Sequence, residues 1–142
     1  MIDRMLPNPT GLAAEFYAFT AAGELRFQRC ADCATWRHPP RHRCGACGSS
    51  GWAWEPSARR GTVFTWTISH RAFDPAFAGA LPYAIVVVEL DEGPRVVCNL
   101  LDLDPSDLAL DLPMEIVIER RTDTIGLLDA RPVRTGAART DG

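Results

Sequence analysis

The chain has 142 residues, 46% of them hydrophobic, and a formal net charge of −3 at pH 7. That length holds one ordinary domain, or a small metal module beside one compact barrel. No apolar run approaches a membrane span; the longest uncharged one, Leu81 to Val88, fits a buried strand.

The charge is unevenly placed. Residues 1–71 carry nine arginines against five acids, residues 72–142 carry six against thirteen, and no lysine occurs. Arg26, Arg29, Arg37, Arg41 and Arg43 gather in one stretch with His38 and His42. Such a group suits phosphates, of nucleic acid or of a nucleotide-bearing cofactor, and equally suits offsetting a nearby anionic centre.

In chain order, residues 1–10 contain Pro7 and Pro9 and read as an extended arm. Thr10 stands where a helix cap belongs and Gly23 where a helix ends. Between them Leu12 to Ala21 predicts a helix that is apolar on nearly every face apart from Glu15 and Thr20. A helix this short is marginal in water, so it must dock on the chain's own core or on a partner. Residues 1–23 are therefore expected to form an N-terminal arm and helix.

Glu24 to Arg29 alternates, with Leu25 and Phe27 on one face, and reads as a strand entering Cys30-Ala-Asp-Cys33. A second pair, Cys44-Gly-Ala-Cys47, follows after the ten residues from Ala34 to Arg43. Trp36 to Pro40 leads into that second pair, and Trp52 to Trp54 leaves it as a third short strand. Each pair makes a knuckle whose sulfurs point the same way. Two facing knuckles complete a tetrahedron of thiolates about Zn2+, with Zn–S near ~2.3 Å. All four positions are sulfur, which leaves no open site for water or substrate and makes the ion structural. Residues 24–57 are thus expected to be a rubredoxin-like zinc ribbon. A thioredoxin-like redox motif would need one CxxC at the start of a helix, and a secreted disulfide module would follow a signal peptide. Residues 1–30 lack a basic start followed by an apolar stretch, which disfavours the secreted module, and an unpaired fifth cysteine with reduced zinc thiolates leads to the expectation of a cytoplasmic setting. Cys98, in an apolar run with no base beside it, reads as a buried core residue.

From Gly61 the pattern becomes strict alternation, with Phe64, Trp66 and Ile68 facing one way and Thr65, Thr67 and Ser69 the other. A second strand is expected from Pro82 to Leu90, a tight turn at Asp91 to Pro94, and a returning strand from Arg95 to Asp102. Asp104 to Leu110 is a connector with room for one helical turn. Met114 to Glu119 is a fourth strand, and a fifth lies somewhere between Thr124 and Val133. A meander of three strands, a connector and two more strands outline a five-stranded OB-fold barrel over residues 58–134, a count that an SH3-like barrel fits almost as well. Residues 135–142 are small and polar and are expected to be a disordered tail.

No enzyme constellation assembles from these residues: a nucleophile elbow, a P-loop and a dinucleotide-binding glycine fingerprint are all missing. His70, at the end of the first barrel strand, is the best single acid/base candidate, but an ordinary hydrogen-bonding histidine explains it. His38 and His42 are not needed by a zinc that four sulfurs saturate. Acid pairs such as Asp91/Glu92 and Asp102/Asp104 fit turns and solvation. Trp52, Trp54 and Trp66 read as core rather than stacking platforms.

The succession of these segments resembles a known family, the acyl-CoA-associated zinc-ribbon/OB-fold proteins once catalogued as domain of unknown function thirty-five. The resemblance covers roughly residues 12–121. It rests on Gly23 to Cys30, on Cys33 through Arg37-His-Pro-Pro-Arg41 to Cys47, on Gly61 to Trp66, on Pro82-Tyr83, and on Val88 to Pro94. It implies a non-catalytic partner of thiolase-fold, hydratase or aldolase-type enzymes that assists acyl-CoA handling in lipid, steroid or polyketide-like metabolism. On that reading Zn2+ sits on Cys30, Cys33, Cys44 and Cys47, and CoA or acyl-CoA is a candidate ligand. Contacts to acyl-CoA or to the partner would come from Phe16, Tyr17 and Phe19 on the helix, and from Arg59, Arg60, Trp66, His70 and Arg71. The alternative is a nucleic-acid-binding ribbon and barrel, against which stand the acidic second half and the lack of interleaved basic and aromatic strand residues.

Overall fold

A computed structural model describes residues 6–70 and 83–133. Helix α1 spans Gly11–Ala21 and buries Phe16, Thr20 and Ala21, a stripe of residues four and five apart. Thr10 sits at the N-cap with extended backbone, yet its side chain makes no capping hydrogen bond, contrary to the role expected of it. The other end closes as expected. Gly23 takes φ +83°, and the amides of Gly23 and Glu24 reach back to the carbonyls of Thr20 and Phe19, each at 2.9 Å. This double bond back into the last turn needs a left-handed residue, which glycine supplies without strain.

The ribbon is a three-stranded antiparallel sheet with β1 (Arg26–Cys30) between β2 (Trp36–Arg37) and β3 (Trp52–Pro56). Leu25 and Phe27 are buried, as the alternation implies. Gln28 is buried with them, because its Oε1 accepts from Arg37 Nε and from the Arg41 amide, both at 2.7 Å. One side-chain oxygen thereby pins the stretch between the knuckles.

Five strands form the closed barrel: β4 (Arg60–Ser69), β5 (Tyr83–Leu90), β6 (Arg95–Leu100), β7 (Pro113–Arg120) and β8 (Gly126–Pro132). Their order is β4-β5-β6-β8-β7, closed by pairing of β7 on β4. All pairings are antiparallel except β6 with β8, which is parallel. That closed five-stranded Greek key is the OB-fold, so the SH3-like alternative falls. Ala84, Val86, Val88 and Leu90 point inward from β5, as the apolar run requires.

One strand departs from its pattern. Val63 pairs with Val88 and Thr65 with Val87, so Phe64 is an extra residue with no partner across the ladder. This bulge switches the inward set from Gly61 and Val63 to Trp66 and Ile68. Phe64 is left 43% exposed instead of sharing the inner face with Trp66 and Ile68.

Helix and barrel meet where Gly126 begins β8. Thr20 Oγ1 donates to the Gly126 carbonyl at 2.8 Å and accepts from its amide at 3.1 Å. A Cβ at Gly126 would lie 2.5 Å from the Thr20 carbonyl oxygen, so only glycine permits this approach. Ribbon and barrel are joined at residues 57–59. Glu92, in the β5–β6 turn, accepts from Ser57 Oγ (3.0 Å) and the Ala58 amide (2.7 Å), and Arg59 donates to the Gly23 carbonyl. Glu92 is therefore a latch rather than a merely solvated turn residue. The connector contains the expected helical turn, Pro105–Asp107, capped by Asp104, which accepts from the Ser106 amide at 2.9 Å. Pro82, Arg71 and the tail from residue 135 lie outside the described residues.

Candidate metal centre and ligand clefts

The four paired cysteines come together at the tip of the ribbon. Their sulfurs all lie within 4.8 Å of one another, with Cys30–Cys47 and Cys33–Cys44 at 3.6 Å. Four bonds of about 2.3 Å in a tetrahedron require sulfurs about 3.8 Å apart, whereas a disulfide needs about 2.05 Å. The spacing fits a tetrathiolate ion and not two disulfides.

Electrostatics agree with that fit. The Cys33 amide pointing at Cys30 lowers its thiol to about 6, and the amides of Cys47 and Ala46 lower Cys44. Cys47 goes the other way: although the Ser49 amide lowers it, the sulfurs of Cys30 and Cys33 push it up to about 12. Four sulfurs this close cannot all ionise unless a cation sits among them. Thiolate-directed amides and a soft, four-sulfur donor set are what zinc takes.

His38 and His42 stay outside this cluster. His38 is wedged between the rings of Phe16 (4.9 Å) and Phe27 (5.3 Å), and burial lowers its pKa to about 4. It is a neutral packing residue. Cys98 is 2% exposed in the barrel core, the position expected of it. Several of the clustered arginines work locally: Arg26 pairs with Glu24 (2.7 Å), Arg29 lies over Trp36, and Arg43 donates to the Gly48 carbonyl (3.1 Å).

The expected contact residues do not form one surface. Phe16 is 4% exposed and packs in the core, because a helix docked on its own chain must bury its best apolar face; it is not free to meet a partner. Its neighbour Tyr17 is half-buried beside it. Phe19 packs edge-on against Trp54, with Arg26 over its ring. Arg59 and Arg60 line a separate cleft of about 370 Å³ against β7. Trp66 packs on the barrel core, and His70 is exposed at the end of β4.

Two other clefts were not anticipated in these terms. One, of about 530 Å³, runs under α1, with Phe16 and Tyr17 facing Ile85, Val97, Leu127 and Leu128 on the barrel. The other, of about 360 Å³, lies between the ribbon and the β5–β6 turn and is lined by Arg37, Arg41 and Arg95. Arg95 is the residue missed: its guanidinium stacks 3.7 Å from the centroid of the exposed Phe64 ring. The sequence signal for it was faint, a lone arginine beside a turn.

Comparison with known proteins places both modules. Residues 20–53 match the family described as "ChsH2, rubredoxin-like zinc ribbon domain", and residues 54–119 match "ChsH2, C-terminal OB-fold domain". The chain is 37% identical over 110 residues to a probable enoyl-CoA hydratase alpha subunit of Thermomonospora curvata, covering 76% of this chain and 34% of that one. It is 34% identical over 110 residues to the 3-oxo-4,17-pregnadiene-20-carboxyl-CoA hydratase alpha subunit of Mycobacterium tuberculosis, covering 78% and 34%. It thus spans about a third of the length of these two relatives. A DUF35 domain-containing scaffold protein of Pyrococcus furiosus is 33% identical over 92 residues, 63% of this chain and 67% of its own. Among solved structures, a chain of the "Ltp2-ChsH2(DUF35) aldolase" superimposes with a TM-score of 0.80 and 32% identity, covering 89% of this chain and 98% of that one.

Proposed function

We propose that this chain, which belongs to the DUF35 family of zinc-ribbon/OB-fold proteins, is a non-catalytic accessory subunit of an acyl-CoA enzyme. It binds a thiolase-fold, hydratase or aldolase-type partner and assists acyl-CoA binding or channelling in lipid, steroid or polyketide-like metabolism. Cys30, Cys33, Cys44 and Cys47 hold one Zn2+, and the metal contributes folding free energy rather than chemistry.

The observation that carries this reading is the near-complete overlay on one chain of an aldolase assembly. The sites support it in turn. A centre closed by four sulfurs offers no position for water or substrate. The pKa of His38 is lowered by burial between two rings rather than by a charged partner. The relatives named as scaffold proteins point the same way.

The test is reconstitution. The zinc-loaded chain is co-expressed with a thiolase-fold enzyme and, separately, with an enoyl-CoA hydratase-type enzyme, and each mixture is resolved by size exclusion. A stable complex whose acyl-CoA activity depends on the chain, with no thioester turnover by the chain alone, is expected. Turnover by the purified chain, or tight salt-sensitive binding of single-stranded DNA or RNA without any enzyme partner, would overturn the reading.

A further inference from the structure

We infer that the four-sulfur centre is also a site of reversible oxidation by peroxide. An exposed sulfur of one knuckle is attacked, and a buried sulfur of the other knuckle closes a disulfide onto it. The metal is given up while the ribbon stays folded. The inference goes beyond the function proposed above and needs no enzyme partner.

The centre has two unlike halves. Cys30 and Cys44, which open the knuckles, are 3% and 4% exposed, whereas Cys33 and Cys47, which end them, are exposed at the ribbon tip. A small neutral oxidant therefore meets Cys33 and Cys47 first. The close pairs run between knuckles: exposed Cys47 lies 3.6 Å from buried Cys30, and exposed Cys33 lies 3.6 Å from buried Cys44. Each reachable sulfur thus has a sheltered one from the opposite knuckle behind it. A sulfur held by a divalent cation is a thiolate at neutral pH, which is the form that reacts.

In the first step the thiolate of Cys33 or Cys47 attacks one peroxide oxygen. An S–O bond forms, the O–O bond breaks and hydroxide leaves. Thr35 Oγ1, 3.1 Å from Cys33 Sγ, is placed to hydrogen-bond the oxygen that adds there. In the second step the buried thiolate attacks the oxidised sulfur; the S–S bond forms, the S–O bond breaks and a second hydroxide leaves. Two thiolates lose two electrons in all, one peroxide becomes two hydroxides, and these take two protons from solvent. Two sulfurs then remain, too few for a structural zinc site.

Pairing across the knuckles is what preserves the fold. Each knuckle is a turn closed by its own backbone, the Ala34 amide donating to the Cys30 carbonyl at 3.0 Å and the Gly48 amide to the Cys44 carbonyl at 2.8 Å. The ion's part is to join one knuckle to the other, and a Cys30–Cys47 or Cys33–Cys44 disulfide makes the same join. Gln28 Oε1 meanwhile holds the stretch between the knuckles through Arg37 Nε and the Arg41 amide, bonds in which no sulfur takes part. A disulfide within either knuckle would leave no covalent join between them. The fifth cysteine, Cys98, is 2% exposed in the barrel core and stays out of the exchange.

The experiment treats the zinc-loaded full chain with hydrogen peroxide, follows released zinc with a chromogenic chelator and maps the cysteines by mass spectrometry. A parallel sample contains dimedone, which traps the first oxidised sulfur. Loss of one zinc per chain is expected, with dimedone on Cys33 or Cys47 and disulfides Cys30–Cys47 and Cys33–Cys44. The far-UV circular dichroism spectrum keeps its shape, and dithiothreitol followed by zinc restores the loaded protein. Cys98→Ser releases zinc at the parent's rate. Zinc retained under a large molar excess of peroxide overturns the inference, as does release by the chelator alone at the same rate. Dimedone first on Cys30 or Cys44, disulfides within each knuckle, a collapsed spectrum, failure to reload, or protection by Cys98→Ser would each overturn it as well. These outcomes concern the sulfur centre alone, whereas the reconstitution above decides the proposed function, so either can fail without the other.

Discussion

Replacing Thr20 by valine tests how the helix is held over the barrel. The residue is fully buried, and its hydroxyl both donates to and accepts from Gly126, 106 positions away. Valine keeps the shape and removes both functions. The Gly126 amide then loses its acceptor and the carbonyl a donor between two buried residues, where an orphaned group costs about 1–3 kcal/mol. The carbonyl has a second lone pair and suffers less, so the loss should be about 2–3 kcal/mol, or roughly 6–12 °C in Tm for a domain of this size. Thr20→Ser retains the hydroxyl and gives up one buried methyl, about 1 kcal/mol. Urea denaturation of the zinc-loaded chain, followed by far-UV circular dichroism, measures all three proteins. A Thr20→Val variant within 0.5 kcal/mol of the parent would mean that the clasp contributes nothing and that apolar packing alone holds the helix.

Phe16→Ala should cost about 3–5 kcal/mol, since the ring is buried against Phe27 and His38; a smaller loss in the same urea assay would place it at the surface. His38 is lowered to about 4 from an ordinary 6.5, so the unfolded chain binds more protons between those values. Its contribution is complete above pH 6.5 and falls as the pH drops towards 4, by up to about 1.4 kcal/mol per pH unit. The zinc-loaded parent should therefore lose more stability between pH 7.5 and 5.5 than His38→Phe does; parallel slopes would contradict this. Glu92→Ala removes both bonds that latch the turn to residues 57 and 58 and should cost about 1 kcal/mol, read as a lowered urea midpoint. An unchanged midpoint would show that the latch is a solvated contact only.

What the sequence discloses is what is local. CxxC spacing defines the knuckles without help from the rest of the chain, and the alternation at Leu25/Phe27 and along Ala84 to Leu90 reports directly which side chains point inward. The misses share a cause in long-range pairing. Phe64, Trp66 and Ile68 look like one unbroken face, and only the register against β5 creates the bulge that ejects Phe64. Gln28 reads as outward until Arg37 and the Arg41 amide, nine and thirteen residues on, converge on its oxygen. The choice between OB and SH3-like barrels turns on the parallel pairing of β6 with β8, which strand counting does not contain. The clefts are less legible still, since helix, ribbon and three strands each supply a part of one groove. The helix residues Phe16, Tyr17 and Phe19 are alike in being apolar, yet Phe16 is core and borders the groove with Tyr17, while Phe19 packs on the ribbon.

The whole account depends on a metal site that is closed. X-ray absorption at the zinc K-edge on the purified, reduced chain reports the ligand number and type directly. One zinc per chain with four sulfur neighbours near ~2.3 Å is the predicted result. A nitrogen or oxygen ligand in the first coordination sphere, or no zinc at all, would contradict it: the first would open a position for chemistry, and the second would leave the four clustered sulfurs without the cation their ionisation requires.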